Sequence, residues 1–255
     1  MGLLTINTIK QEILHHHANR EDITSRLDVS IDLAMMRIAR IHDWDQLKLI
    51  LSGALAVTAD PREDKIFDLN TVIPAGFRLK TMYSIRVISS DGRSGKLTGL
   101  PHTQFDQQVP EPEWYSRNMP ELYTVFGALD PTDVVVPLTA RNPILELWPV
   151  PDVAYDVDLR MQVWPRFLTD GALSDTNVTD LFIDDAIISL ATSYLYNSQG
   201  REDKAKHHFG IYAAIVKDAL NLDETDFHTV VAGVILSEGR RAGNYVSNPF
   251  VFESP

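Results

Sequence analysis

Apolar positions recur at helical spacing at both ends of the chain and at strand spacing in between. Ile6, Ile9, Ile13 and Leu14 mark a first helix over Thr5 to His17, interrupted by Asn19-Arg20-Glu21-Asp22. A second helix carries Ile23, Leu27, Ile31, Ala34, Met35, Ile38 and Ile41 as a single stripe, with Asp28, Asp32, Arg37 and Arg40 off it. Asp22 stands where a cap is wanted, and the helix closes near His42-Asp43-Trp44, with a short helical piece running on toward Leu51.

The period then falls to two. Phe77, Leu79, Thr81, Tyr83, Ile85 and Val87 alternate with Arg78, Lys80, Met82, Ser84 and Arg86, predicting a half-buried strand that ends in an Asp91-Gly92 turn. A clean alternation recurs from Tyr155 through Val157, Leu159 and Met161 to Val163, and shorter strands are expected at Val134 to Leu138 and at Leu145/Leu147. Most of the 14 prolines fall in this stretch, which excludes long helices from it.

Helix returns after Ser174-Asp175-Thr176-Asn177. One segment carries Leu181, Ile187, Ile188, Ala191, Tyr194 and Leu195 and stops at Ser198-Gln199-Gly200. The next carries Ala205, His208/Phe209, Tyr212, Ile215/Val216 and Ala219/Leu220. A helix with one apolar face is not stable alone. The expected class is therefore α+β. A discontinuous helical bundle (1–53 plus 173–228) carries an inserted antiparallel β domain (54–172), and an extended C-terminal arm follows (229–255). Separate helix hairpins at the two ends are the alternative, and they would leave more apolar face uncovered.

Charge and composition narrow the function. The chain has 255 residues, 35 Asp+Glu against 23 Lys+Arg, and a formal net charge of −12. That balance argues against non-specific coating of nucleic acid, which needs clustered cations. No cysteine is present, which excludes disulfides, thiolate zinc sites and a cysteine nucleophile. No apolar run approaches the ~18 residues of a membrane span, so no membrane partner is expected. The opening Gly2-Leu3-Leu4-Thr5-Ile6 fits neither a signal peptide nor a myristoylation signal.

The local groupings that invite catalytic or metal chemistry each have a structural reading. His15-His16-His17 point about 100° apart on a helix, and no acid at i+3 or i+4 completes a ligand set; His207-His208 fails likewise, with His208 on the core stripe beside Phe209. Asp156 and Asp158, near Asp152, share the polar face of a strand without the spacing of a calcium loop. Asp184-Asp185 opens a helix, where carboxylates complement the dipole. Asp91-Gly92-Arg93-Ser94-Gly95 matches neither a nucleophile elbow nor a phosphate loop. No enzyme signature, metal set or cofactor fingerprint emerges.

The last stretch has no period. It combines Arg240 and Arg241 with Tyr245, Phe250 and Phe252. Burying three aromatic side chains would contribute roughly 5–9 kcal/mol. Ordering residues 238–255 costs on the order of 1 kcal/mol each, so the aromatics alone do not hold such an arm down. A frayed tail is one reading. The one favoured here is a docking arm that pairs its backbone with a partner or engages a ring in many copies at once.

The order of these segments resembles the head-to-tail adaptor (neck or connector) proteins of tailed bacteriophages. The resemblance rests on several segments. They are Ile38-Ala39-Arg40-Ile41-His42-Asp43-Trp44-Asp45-Gln46-Leu47, then Ile144-Leu145-Glu146-Leu147-Trp148-Pro149-Val150-Pro151 before the strand Tyr155 to Trp164. The helix start Asp184-Asp185-Ala186-Ile187-Ile188 follows, then Ala191-Thr192-Ser193-Tyr194-Leu195-Tyr196, a glycine, and Ala205 with Phe209. The chain departs from the plainest members in a longer β unit that includes the Pro-rich stretch Val109 to Pro120. Against the alternatives of a tail terminator or nozzle subunit and of a carbohydrate-active or hydrolytic enzyme that uses the β unit, the resemblance implies a head-to-tail adaptor of the virion, with no catalytic residue or cofactor expected. It would form a ring, typically twelve-fold, below the portal protein, join it to a tail or nozzle protein, and let DNA pass through its lumen. Arg240, Arg241, Tyr245, Phe250 and Phe252 would then grip the portal.

Overall fold

The structure, a computed structural model, describes residues 4–17, 21–58, 60–109, 117–126, 144–169, 171–181 and 183–220. It is mixed α+β with two sheets in which antiparallel pairing predominates. The expected strand at Val134 to Leu138 and the arm residues Arg240, Arg241, Tyr245, Phe250 and Phe252 lie outside the described residues. Two compact units are present, Met1–Trp44 with Phe167–Pro255, and Asp45–Arg166.

In the first unit, helix α1 (Ile6–His16) starts at Thr5, whose hydroxyl accepts from the Thr8 amide. Ile6, Ile9 and Ile13 are its buried stripe. Helix α2 (Thr24–Ile41) is entered through a 3-10 turn, Glu21–Ile23. Asp22 lies inside that turn, and Ile23, with no side-chain acceptor, holds the capping position. The Trp44 indole folds back on the other end and donates to the Ile38 carbonyl at 2.7 Å, satisfying one of the carbonyls a helix leaves open at its last turn. Helix α5 (Asp184–Ser198) is buried nearly all round and packs against α1, α2 and α6 (Glu202–Leu220). Gly200, at φ +70°, lets the chain turn between α5 and α6, a conformation that costs other residues more.

Two residues placed off the α2 stripe by the sequence are buried. The Asp32 carboxylate accepts from the Leu168 amide (2.8 Å), the Thr169 amide (2.9 Å) and the Thr169 hydroxyl (2.7 Å). Arg37 donates to the Tyr194 hydroxyl at 3.3 Å and lies 5.4 Å from the centre of the Phe209 ring. Periodicity assigns charge to solvent; here a charge is buried because fixed polar partners replace its water. Asp184 acts likewise, accepting from the Leu4 amide and the Thr179 hydroxyl, both at 2.8 Å. Backbone bonds from Ile6 to Asn177 (2.8 Å) and from Asn7 to Asp175 (2.9 Å), and Lys10 bridging Asp28 and Asp175 at 2.7 Å each, complete the seam between the two chain ends.

In the second unit the segment after Trp44 corrects the expectation of helix to Leu51. Only Asp45–Leu47 forms a 3-10 turn, and strand β1 (Lys48–Leu55) follows directly. Leu49, Leu51, Gly53 and Leu55 lie opposite Met161, Leu159, Val157 and Tyr155 of β8 (Tyr155–Trp164), a period of two that a short apolar run hides. The first sheet has the order β1-β8-β3-β4, with β3 at Arg78–Ser89 and β4 at Ser94–Lys96, all antiparallel. The second has the order β2-β7-β6-β5, from β2 (Ile66–Asp68), β7 (Ile144–Trp148), β6 (Leu122–Phe126) and β5 (Thr98–Gly99), with β5 parallel to β6. Short helices α3 (Pro61–Asp64) and α4 (His102–Gln108) lie among these strands.

The β3 alternation is not the simple one that the sequence predicts. Bulges between Leu79 and Thr81 and between Met82 and Ser84 shift its phase twice. Leu79, Met82, Ile85 and Val87 therefore lie opposite the core-facing Val163, Met161, Leu159 and Val157, while Thr81 pairs with Gln162 on the other side. Tyr83 is left exposed and donates through its hydroxyl to Gln162 Oε1 at 2.7 Å. Gly53 permits a close approach: a Cβ there would lie 2.8 Å from Val72 Cγ1 and 3.0 Å from Phe67 Cζ. Replacing Asp32 with Ala is expected to cost about 2–4 kcal/mol, because buried amides at 168 and 169 lose a charged acceptor, and Asp32→Asn should cost less. Urea unfolding of the full chain measures both.

Candidate functional site

Of the carboxylates that sequence inspection raises as catalytic candidates, Asp152 and Asp158 are held by separate local partners. Asp152 accepts from the Tyr155 hydroxyl, and burial together with that carboxylate pushes the tyrosine up to about 12. Asp158 accepts from Ser52 at 2.9 Å, and Asp156 is exposed. Asp64, which the sequence does not single out, is the most enclosed acid among the described residues of the second unit. Its burial favours the neutral acid, but bonds from the Thr58 amide (2.7 Å) and the Arg117 guanidinium (2.6 Å) outweigh this and hold it below the usual carboxylate range. Arg117 also donates to the carbonyls of Thr58 (3.0 Å) and Pro151 (3.3 Å), so the pair clamps three loops. Asp91 closes its hairpin turn by accepting from the Arg93 amide and side chain, with Gly92 at φ +84°. Among the described residues no group of three or more His, Cys, Asp or Glu could hold a metal ion. No helix of the described residues is long and apolar enough to cross a membrane.

The histidines form a ring cluster on the first unit. His17 is buried, 4.0 Å from the Tyr196 ring, and Tyr196 donates to the His16 carbonyl. His208 is only half-buried, not on the core stripe as expected; it stacks on Tyr196 at 5.4 Å and meets His16 edge-on at 5.0 Å. Burial, and then the neighbouring histidines and Lys204, lower His208 to about 4. Each histidine row thus contributes rings that pack, His16 and His17 from the first and His208 from the second.

Two surfaces of this unit carry apolar side chains that its own core does not cover. The α2 helix carries a second apolar stripe outside its buried face, Val29, Leu33 and Met36 at i, i+4 and i+7, with Val29 48% and Leu33 49% exposed. Arg26 and Arg40 stand at its two ends, the latter donating to the Met36 sulfur at 3.3 Å. The second surface is an open groove of about 530 Å³ between α1, α5 and α6. Ile188, Ile211 and Ile215 supply apolar lining, the exposed acids Glu12 and Asp185 stand at its rim, and His16 and His208 also line it. The α6 core stripe is narrower than expected, Ala205, Phe209, Tyr212 and Val216, which leaves Ile215 to the groove beside Ile211. The spacing 29, 33, 36 could have revealed the α2 stripe; the groove has no sequence signal, since three helices form it.

Compared with known protein families and with curated proteins, the chain matches none.

His208 gives the first unit a pH dependence. Its folded value of about 4 lies below the ordinary 6.5, so folding favours the neutral ring. Stability from this group is complete above pH 6.5 and falls as pH drops toward 4. Thermal unfolding from pH 7.5 to 4 should show this loss, and His208→Phe should flatten it.

Proposed function

We propose that the chain is a head-to-tail adaptor of a tailed bacteriophage, a structural virion protein that forms a ring below the portal and joins it to the tail. In this reading the first unit is a discontinuous helical bundle, the strands form an excursion from it toward the tail or nozzle protein, and the C-terminal arm grips the portal. It needs neither a cofactor nor catalytic chemistry. The observation that carries it is the unit made from the two chain ends, with residues 45–166 leaving and returning between α2 and α5. That order is the order of segments on which the resemblance rests. A conduit also suits the chemistry of an acidic chain, because carboxylates on a lumen wall repel phosphate and let a duplex slide.

Electron micrographs of the purified protein mixed with its portal rings test the reading directly. An added ring layer is the expected result, and portal rings that stay bare would overturn it. In that ring Asp and Glu should outnumber Lys and Arg on the channel face; a map with a mainly basic lumen contradicts the sliding mechanism. Truncation after Ser237 should weaken retention on immobilised portal while leaving the melting curve of the protein unchanged.

A further inference from the structure

We propose that the two surfaces of the helical unit are complementary halves of one interface: the α2 stripe of one copy seats in the α1/α5/α6 groove of the next. Several observations favour a second copy over another occupant. The stripe is a ridge, and its charged ends are basic; Arg26 and Arg40 are about 21 Å apart along the helix. The groove is concave, and its charged rim is acidic, through Glu12 and Asp185. Both surfaces carry apolar side chains: Val29, Leu33 and Met36 between the arginines of the ridge, and Ile188, Ile211 and Ile215 in the lining of the groove. Desolvating these residues supplies the attraction, and opposite charges at the edges fix the register.

The geometry makes the contact head-to-tail. The ridge is on α2, and the groove opens between α1 and α6 over α5, so the surfaces do not overlap and a copy uses both at once. Such a heterologous interface closes into a ring when its rotation permits and otherwise grows as a filament; a two-fold dimer would instead need one patch to meet itself. This inference rests on the adaptor reading for the ring, but the interface can be tested without it.

The absence of native cysteine makes disulfide trapping clean. Leu33→Cys with Ile211→Cys in the same chain should give, under mild oxidation at the highest soluble concentration, a ladder of covalent multimers. A mixture of the two single variants should stop at dimers, and Leu33→Cys paired with Ser52→Cys should give no ladder. Charge reversal of the ridge (Arg26→Glu with Arg40→Glu) should abolish trapping, and added reversal of the rim (Glu12→Arg with Asp185→Arg) should restore it. Circular dichroism of each variant confirms folding, since every substituted side chain except Ile211 and Leu33 is charged or polar and all lie at the surface. Rings in micrographs without trapping overturn the interface and leave the adaptor reading standing. A ladder with portal rings left bare keeps the interface and removes the adaptor reading. Neither rings nor ladder overturns both, and dimerisation of Leu33→Cys alone overturns the head-to-tail geometry.

Discussion

Buried carboxylates that serve amides from the far end of the chain are the interactions on which the helical unit depends. Asp32 reaches residues 168 and 169, and Asp184 reaches Leu4. A buried carboxylate is tolerated only where donors replace its hydration, and those donors are supplied only when both halves are present. The hydrophobic contacts around α5 provide the larger driving force, but they are non-directional. The hydrogen bonds specify which segment meets which. Arg37, set between Tyr194 and Phe209, adds a further polar tie across the same seam.

The two chain ends leave α5 unusual among the helices. It has little polar surface because neighbours lie on three sides, and its N-terminal half contributes Ile188 and Asp185 to the groove. In contrast, α2 is amphipathic in two senses, with one apolar face inward and a narrower one outward. A surface helix with an unpaired apolar stripe incurs a solubility cost, and the bracketing arginines limit it.

Legibility in the sequence followed the regularity of each element. α1, α5, α6 and β8 repeat one period and were readable, as were the turn at Asp91-Gly92 and the stop at Gly200. What was hidden required knowledge of the partner. Lys48–Leu55 is too short and too apolar to distinguish helix from strand until β8 is alongside it. The β3 bulges swap Met82 and Thr81 between faces, and no local alternation announces an inserted residue. Asp32 and Arg37 looked solvated because periodicity carries no information about polar groups 100 or more residues away. The groove was least legible, since its lining comes from three helices.

The fastening of Asp32 to Leu168 and Thr169 bears on biosynthesis. By the time Trp44 leaves the ribosome, α1 and α2 are complete, but the residues that cover them have not been made. The intervening segment, Asp45–Arg166, takes roughly 6–25 s to translate at about 5–20 residues per second. During that interval the two segments keep their apolar residues uncovered and lack the neighbours that stabilise a one-faced helix. The residues of α1 and α2 are thus made well before the partners that lock them, and the unit closes only once the segment after Arg166 has been added.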